Sequence, residues 1–366
     1  MKDFTYFMPS KLYCGPDCIY KNREILKNLG TKALIVTGKG SAKRNGSLDD
    51  VCNALSTIGL SYIIYDEIEE NPTVEMIINA SSLGKKEKVD FIIGIGGGSP
   101  MDSAKAVAFM IGNPDKEIDF LFQPGNYKSL PIAEVPTTAG TGSETTPYAV
   151  LTWHEKKLKT GIAQRTFANI AFLDAKYMVG MPDRITINTA IDALTHLIES
   201  YLCTDASFIS DRLAETGLIS FKECIEDIKN KNFSLEVREK LLLISSIAGM
   251  VISQSQTSLP HQMGYYLTYF KNIPHGRANA IFIGEYLRLF KDKSKVMKML
   301  SYIGFESIDD LDNYLKSVLD KREDFTEEEV LEYTKQMMTV KNKIATFPDN
   351  ISEKDIYNIF YNSLMH

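Results

Sequence analysis

The distribution of apolar residues changes character near the middle of the chain. In the first half, short runs of β-branched and other apolar residues alternate with longer amphipathic segments. Four of these runs are bounded by turn residues and predict β-strands: ALIVT (33–37), SYIIYD (61–66), VDFIIGI (89–95) and LPIAEV (130–135). Strand–helix units of this length are typical of a parallel sheet with helices on both faces.

The helical segments carry start signals, and they dominate the second half. Ser47 is expected to cap one helix, with Asp50 completing a capping box, and Thr73 is expected to cap the next. From about Met181 onward, nearly every segment has apolar residues at helical spacing. The pattern therefore predicts an α/β domain followed by an all-α domain, with the boundary near residue 180.

Composition narrows the class of protein. The chain has 366 residues, and 41 Lys and Arg against 47 Asp and Glu give a formal net charge of −6, which argues against a nucleic-acid binder. No apolar stretch is long enough to span a bilayer, and the N-terminus lacks the apolar segment of a signal peptide. The five cysteines fit a reducing compartment better than a disulfide framework. We expect a cytoplasmic enzyme without nucleic-acid or membrane partners.

A run of three glycines, Gly96 to Gly98, ends the predicted strand at 89–95 and precedes Ser99 and a helix. Glycine lets the backbone approach a ligand closely, and a helix N-terminus presents unpaired N–H groups to an anion. The spacing matches neither the GxGxxG fingerprint nor a P-loop. The alternative to a phosphate site is a tight turn with a serine cap.

A second loop, VPTTAGTGSET at 135–145, follows the last predicted strand and is rich in hydroxyls and small residues. Hydroxyls and exposed amides at the end of a strand suit contacts to a ribose or a phosphate. The alternative is a flexible surface loop.

The second half contains a candidate metal site formed by Asp192, His196, His261 and His275, which includes three of the chain's 5 histidines. Asp192 and His196 are four residues apart in a predicted helix and therefore share a face. Imidazole and carboxylate together suit a divalent transition metal such as iron or zinc. For the first pair alone, the alternative is a helix-dipole carboxylate beside an ordinary buried histidine.

These elements together resemble the motifs of the iron-containing (group III) alcohol dehydrogenases, over nearly all of the chain. They occur in order: GGGSPMDSAK at 96–105, PTTAGTGSE at 136–144, DALTH at 192–196 and PHGRANAI at 274–281. The chain is most similar to the bacterial butanol and 1,3-propanediol dehydrogenase-like branch. The resemblance implies a Rossmann-like dinucleotide-binding domain over 1–180 and a helical metal-binding, catalytic domain over 181–366, in a dehydroquinate synthase-like architecture.

The resemblance also assigns roles. The metal would be held by Asp192, His196, His261 and His275, and the cofactor pyrophosphate by Gly97, Gly98 and Ser99. Asp102 would lie near the nicotinamide ribose as a candidate catalytic residue. The rest of the cofactor site would be lined by Asn71, Thr137, Thr138, Thr146 and Lys159. Lys159 is alternatively a surface lysine, and Lys105, one helical turn beyond Asp102, is alternatively a solvated one.

The implied reaction interconverts short-chain primary alcohols or diols and their aldehydes by hydride transfer, with the metal polarising the substrate oxygen. The family name favours Fe(II), and Zn(II) also suits the ligands. A homodimer is expected from the family, formed through the segment near Phe4–Tyr13.

The end of the first predicted strand bears on cofactor choice. A carboxylate there binds the ribose hydroxyls of NAD and repels a 2′-phosphate. Family members that prefer NAD tend to carry aspartate at this position, which is Gly38 in this chain. Ser41 and the cationic residues Lys39, Lys43 and Arg44 add donors for a phosphate. We therefore predict a preference for NADP(H) over NAD(H); the alternative is a basic surface turn without a role in binding.

One position departs from the family pattern. Many relatives carry a histidine four residues after the third metal ligand, where it is thought to relay the alcohol proton. Here that residue is Tyr265, a candidate catalytic group, although an ordinary tyrosine with a pKa near 10 is a poorer acid–base group at neutral pH. The alternative is that Tyr265 forms a wall of the pocket and the proton moves through water or ribose hydroxyls.

Other functions are compatible with parts of this pattern. A glycerol dehydrogenase-like enzyme shares the fold but usually lacks a histidine at the position of His196. A dehydroquinate synthase-like lyase would need a basic cluster near the metal motifs, which is not evident. From another class, the chain is alternatively a catalytically silent metal- and nucleotide-binding protein, a hypothesis that the substitution at Tyr265 leaves open.

Overall fold

The computed structural model describes residues 3–319 and 323–365. In the described residues the strands are β1 (Lys11–Cys14), β2 (Lys32–Gly38), β3 (Ser61–Ile68), β4 (Phe91–Gly96), β5 (Ile132–Pro136), β6 (Val150–Trp153), β7 (Leu158–Gly161) and β8 (Ile170–Leu173). Six of them form a parallel sheet in the order β1-β8-β5-β4-β2-β3, and β6 and β7 form an antiparallel hairpin. The prediction of a parallel sheet is confirmed, and the four predicted strands correspond to β2, β3, β4 and β5.

In the described residues, helices are interspersed with the strands as far as β8, and the elements after β8 are helices. Those interspersed with the sheet are α1 (Cys18–Lys21), α2 (Ser41–Arg44), α3 (Ser47–Thr57), α4 (Val74–Lys86) and α5 (Gly98–Gly112). The later ones are α6 (Asp183–Leu202), α7 (Phe208–Lys222), α8 (Ile225–Asn230), α9 (Leu235–Ser255), α10 (Leu259–Lys271), α11 (His275–Ala280), α12 (Ile283–Leu289), α13 (Ser294–Ile303), α14 (Ile308–Val318), α15 (Glu327–Thr339), α16 (Lys341–Ile344) and α17 (Glu353–Leu364). No helix in the described part of the chain is both long and apolar enough to cross a membrane.

The chain divides into two compact units. The α/β unit comprises Met8–Met181 together with Ser234–Leu242, the beginning of α9. The helical unit comprises Pro182–Phe233, the described residues from 243 onward and residues 3–7. The α/β class of the first unit and the all-α class of the second are as predicted.

Both faces of the sheet are covered, which explains why its strands are continuously apolar. Leu34 and Val36 of β2 lie in one core cluster with Ile77 of α4. Ile35, between them, lies in a second cluster with Leu55 of α3. Successive side chains of a strand point to opposite faces, so β2 needs helices on both sides. Each fully buried aliphatic side chain contributes roughly 1.5–3 kcal/mol, which stabilises this arrangement.

The two helix starts differ in how they are capped. Thr73 caps α4 as predicted, because its hydroxyl accepts a hydrogen bond from the Met76 N–H at 3.4 Å. The prediction that Ser47 caps α3 is wrong. Ser47 is already the first residue of α3, after Gly46 with φ +81°, and both its N–H and its hydroxyl donate to Oδ1 of Asn45, at 3.0 and 2.7 Å. The side chain of Asn45 therefore provides the turn that starts this helix.

A buried pair of ionisable side chains joins α5 to the sheet. Lys105 of α5 and Glu134 of β5 have no solvent exposure, and Nζ lies 3.8 Å from Oε1. Within the described residues, neither carboxyl oxygen of Glu134 makes a hydrogen bond. Burial raises the pKa of Glu134 to about 8; Lys105 opposes the shift, whereas Glu144 and Asp102 reinforce it. At neutral pH the carboxyl group is therefore largely protonated.

This pKa predicts a pH dependence of stability. Between about pH 5 and pH 8 the native protein holds a proton on Glu134 that an unfolded glutamate, with a pKa near 4.3, releases. The stabilisation from this group is complete below the unfolded pKa and is lost as the pH rises through the folded pKa. Glu134→Gln removes the titration. We expect the free energy of unfolding of the native sequence, relative to that variant, to fall with pH by at most about 1.4 kcal/mol per unit.

Urea denaturation of the two metal-free proteins, at intervals from about pH 5.5 to pH 8.5, measures this difference. A difference in unfolding free energy that is constant over this range would contradict the raised pKa of Glu134.

Candidate functional site

The glycine loop lies between β4 and α5 and is shaped by close packing. Gly96 ends β4 with φ +151°, a conformation that favours glycine. A Cβ atom on Gly97 would lie 3.1 Å from Oγ1 of Thr138, and one on Gly98 would lie 2.8 Å from Cγ2 of Thr141. Side chains at these positions would therefore press against Thr138 and Thr141, so the glycine loop and the threonine-rich second loop (135–145) are in direct contact.

The two loops meet because they leave neighbouring parallel strands. Gly96 and Pro136 are partners in the register of β4 and β5, and the Thr137 N–H donates to the Gly96 carbonyl at 2.8 Å. Gly97, Gly98 and Ser99 are half-buried at the N-terminus of α5, a helix of 15 residues. The carboxyl ends of parallel strands and the N-terminus of a helix form the usual setting for a bound phosphate.

Asp102 and Lys105 of α5 hold this threonine-rich second loop (135–145) in place. The Asp102 carboxylate accepts from the Ser143 hydroxyl at 2.7 Å and from the Val150 N–H at 2.8 Å, and burial raises its pKa. Lys105 donates to the carbonyls of Ser143 and Tyr148 at 2.6 and 3.0 Å. The interpretation of Lys105 as a solvated lysine is therefore wrong. Its buried position would have been hard to detect, since helical spacing alone does not show which loop covers the helix.

Three further residues that were predicted to bind the cofactor, Asn71, Thr146 and Lys159, take part in specific hydrogen bonds. Lys159 of β7 donates to Oδ1 of Asn71 at 2.8 Å, although 88 positions separate them. Asn71 has φ +57°, and it precedes the turn into α4. Thr146 is buried and its hydroxyl donates to the Ser143 carbonyl at 3.2 Å. Lys159 is therefore held by a specific partner.

The end of β2 combines a glycine with paired charges. A Cβ atom on Gly38 would lie 3.0 Å from the Ile68 carbonyl oxygen, so a larger residue there would require a small local shift of the neighbouring backbone. Lys39 contacts Glu69 at 2.9 Å, and Lys43 contacts Asp66 at 2.5 Å. Ser41 begins α2 and is exposed. The lysines that would attract a 2′-phosphate thus face carboxylates on the β3 side.

In the helical unit, three of the predicted metal ligands converge. Asp192 of α6, His261 of α10 and His275 at the start of α11 each offer a donor atom, and these atoms lie within 4.8 Å of one another. Nε2 of His261 lies 3.6 Å from Oδ1 of Asp192. The ring of His196, one turn after Asp192 on α6, stacks on the ring of His261 with 4.3 Å between centroids.

Close backbone approach makes this convergence possible. A Cβ atom on Gly276, the second residue of α11, would lie only 2.0 Å from the carbonyl oxygen of Asn188 in α6. Glycine therefore allows α11 to lie directly against α6, which brings His275 next to Asp192.

Burial and neighbouring charges shift the pKa values of Asp192 and His261. Burial alone raises the pKa of Asp192, but the imidazoles of His196, His275 and His261 outweigh it and hold that pKa well below its usual range. Burial lowers the pKa of His261, yet the carboxylates of Glu199 and Asp192 more than offset this and raise it to about 9. Among the described residues, Nε2 of His261 makes no hydrogen bond. A buried carboxylate facing several imidazoles fits a divalent cation, which would bind in place of protons.

Two residues of this site were missed by the sequence analysis. Glu199 lies on α6 seven residues after Asp192, and its carboxylate contacts Nδ1 of His261. Asn279 donates from Nδ2 to Oδ1 of Asp192 at 3.0 Å and lies 3.2 Å from Nε2 of His275. Helical spacing from Asp192 was a signal for Glu199, whereas no pattern pointed to Asn279.

Tyr265 lies on α10, four residues after His261. Its ring stacks on that of His275, with 5.5 Å between centroids and 20° between the planes, and its side chain is half-buried. The phenol thus borders the predicted metal ligands, in a position that suits either of its two predicted roles.

Comparison with known proteins agrees with these observations. The sequence profile "Iron-containing alcohol dehydrogenase" matches residues 9–175, and the profile of the C-terminal domain of the same family matches residues 186–363. The chain is 32% identical over 371 residues to the NADPH-dependent butanol dehydrogenase of Clostridium saccharobutylicum, covering 97% of this chain and 92% of the relative. It is 35% identical to the lactaldehyde reductase of Escherichia coli K12, over 71% of this chain and 69% of that protein.

The fold agrees as well. The crystal structure of an iron-containing alcohol dehydrogenase from Thermotoga maritima superposes with a TM-score of 0.92 at 34% identity, covering 100% of both chains. The family resemblance of the motifs and the expected fold class are thereby confirmed. The chain belongs to the iron-containing alcohol dehydrogenase family and is an oxidoreductase that acts on alcohols.

Proposed function

We propose that this enzyme interconverts short-chain primary alcohols or diols and their aldehydes, with NADP(H) as the hydride carrier and Fe(II) as the metal. The observation that carries this proposal is the convergence of the buried Asp192 and His261 with the half-buried His275. Zn(II) also fits this donor set, because both ions accept imidazole and carboxylate ligands. Relatives whose names specify butanol and lactaldehyde support a small alcohol or aldehyde as substrate.

The protein contributes binding and orientation on both sides of the reaction. In the proposed division at residue 180, the α/β domain would bind the cofactor. Gly97, Gly98 and Ser99, at the N-terminus of α5, would hold its pyrophosphate through backbone N–H groups. Thr137 and Thr138, with Asn71 and Lys159, would line the sugar and nicotinamide portions, and Asp102 keeps the second loop against α5. The cofactor supplies the redox chemistry.

In the helical domain, Asp192, His196, His261 and His275 would hold the ion, which supplies Lewis-acid stabilisation to the substrate oxygen. Asp192, His196 and His261 are each at most 5% exposed, so these three side chains are shielded from bulk water. A low-dielectric surrounding strengthens the interaction of these groups with charge that develops on the substrate.

Tyr265 acts in this proposal as a wall of the substrate site. Its stacking on His275 depends on the aromatic ring, and the ring is shared by phenylalanine. We expect Tyr265→Phe to retain kcat/KM within about threefold, a change of less than 1 kcal/mol. Tyr265→Ala, which removes the ring, should lower kcat/KM by about tenfold or more. Steady-state kinetics of both variants check this, and a loss of tenfold or more in Tyr265→Phe would instead identify the hydroxyl as a proton relay.

The preference for NADP(H) is supported by Gly38, where no carboxylate repels a 2′-phosphate, and by the NADPH dependence named for the Clostridium relative. The ion pairs of Lys39 and Lys43 with Glu69 and Asp66 limit this preference, because a phosphate must compete with two carboxylates. Both pairs are solvent-exposed and therefore weak, so they do not close the site.

The direct experiment measures initial rates of NADPH and NADH oxidation by butyraldehyde, with protein reconstituted anaerobically with Fe(II). We expect NADPH to be used at least about tenfold more efficiently in kcat/KM, equivalent to about 1.4 kcal/mol. Equal or better rates with NADH would overturn the cofactor proposal alone. Absence of turnover with either cofactor, while the metal stays bound, would overturn the proposed substrate class.

We also propose a cytoplasmic homodimer. The dimer is supported by the exposed side chains of Phe4, Tyr6 and Phe7 and by the edge position of β1 in the sheet. The compartment is supported by five cysteines that are all free thiols. Sedimentation of the protein at micromolar concentration should give the mass of two chains, and a monomer would overturn the dimer.

A further inference from the structure

A second carboxylate lies behind the metal ligands, on the side away from their converging donor atoms. Glu199 of α6 has no solvent exposure. One of its oxygens contacts Nδ1 of His261, and the other accepts from the N–H groups of Ser258 and His261, at 2.7 and 3.4 Å. Within the described part of the chain, neither oxygen is paired with a lysine or an arginine.

Burying a carboxylate in this way is costly. The desolvation penalty of a buried ion amounts to several kcal/mol unless hydrogen bonds and opposite charge compensate for it. Glu199 does not belong to the set of converging donors, and in the described part of the chain its hydrogen bonds go to one helix start and one ring. A buried carboxylate at such a position therefore affects the site through its two partners, the ring of His261 and the start of α10.

The first thing it holds is the ring of His261. A carboxylate on Nδ1 keeps the proton on that nitrogen and leaves the lone pair on Nε2. Nε2 is the atom that lies 3.6 Å from Oδ1 of Asp192, among the converging donors. The contact thus selects both the tautomer and the ring orientation in which His261 can bind an ion.

The second thing it holds is the backbone that carries this ring. Ser258 is the N-cap of α10, and His261 lies in the first turn of that helix, where the N–H groups have no partner within the helix. The Glu199 carboxylate accepts from two of these groups, so it acts as a capping group supplied by another helix. Because Asp192 and Glu199 share α6, the position of His261 is tied to the helix that carries another ligand.

We propose that Glu199 is a positioning residue of the metal site, which raises the affinity for the ion by holding the ring and backbone of His261. The inference rests on the proposed metal-dependent function. It extends that function to a residue that does not touch the ion.

The test is the affinity of the metal-free protein for Co(II), measured by competition with a chromophoric chelator, without alcohol or cofactor. In Glu199→Gln the side chain keeps its size, but its single acceptor oxygen cannot serve both Nδ1 of His261 and the Ser258 N–H. The NH₂ group of the new side chain must then face one of these two N–H donors, and two donors cannot form a hydrogen bond with each other. We expect the dissociation constant for Co(II) to rise by about 10- to 100-fold, and the visible ligand-field spectrum of bound Co(II) to change.

Two further variants separate position from charge and from general destabilisation. Glu199→Asp keeps the charge but is one methylene shorter, so it should also lose affinity. Glu215→Gln is the matched control, because Glu215 is a buried carboxylate of α7 that contacts Arg212 and Tyr201. It should bind Co(II) as the native sequence does. Thermal melting of each metal-free protein establishes that it is folded, and if Glu199→Gln does not fold, Glu199→Asp decides.

Each outcome has one meaning. A Glu199→Gln protein that binds Co(II) within about threefold of the native protein, with the same spectrum, overturns the inference. So does native affinity in Glu199→Asp, which would assign the effect to charge alone. Failure of the native protein itself to bind Co(II) would instead overturn the proposed metal-dependent function.

Discussion

A charged group that is buried must be compensated, and this constraint organises the helical unit around α6. This helix carries two buried carboxylates on one side, Asp192 and Glu199. Three imidazoles from α6, α10 and α11 surround Asp192, and the first turn of α10 surrounds Glu199. The helices that pack here are therefore selected by polar contacts as well as by apolar burial, and the same contacts form the proposed cation site.

The α/β unit meets the same constraint in a different way. Lys105 is buried, and it donates mainly to carbonyl and hydroxyl oxygens of the second loop, while Glu134 nearby is held largely protonated. Asp102, one turn earlier on α5, binds the same loop. The helix whose N-terminus faces the proposed phosphate site is thereby locked to the loop beside it. Preorganisation of this kind reduces the entropy that cofactor binding must overcome.

The proposed cofactor site and the proposed metal site therefore use different groups of the protein. The glycine loop and its threonine-rich neighbour present backbone groups, which need close approach and no side chains at Gly97 and Gly98. The proposed metal ligands present side chains, which need other side chains to orient them, as Glu199 does for His261 and Asn279 for Asp192. An alcohol dehydrogenase of this family depends on both, because hydride transfer requires a held cofactor and an activated substrate oxygen.

The sequence by itself determined the parallel sheet, the helical second half and the two loops at strand ends. The alternation of strand and helix segments, the helical spacing of apolar residues and the position of glycines are local signals. The family followed from four short motifs in the same order. It did not reveal that Lys105 is buried, that Asn45 starts α3 or that Asn71 meets Lys159. Only the tertiary structure decided these, and with them the contacts of Glu199. The physical reason is that burial and hydrogen-bond partners depend on contacts between residues far apart in the chain, which no local pattern encodes.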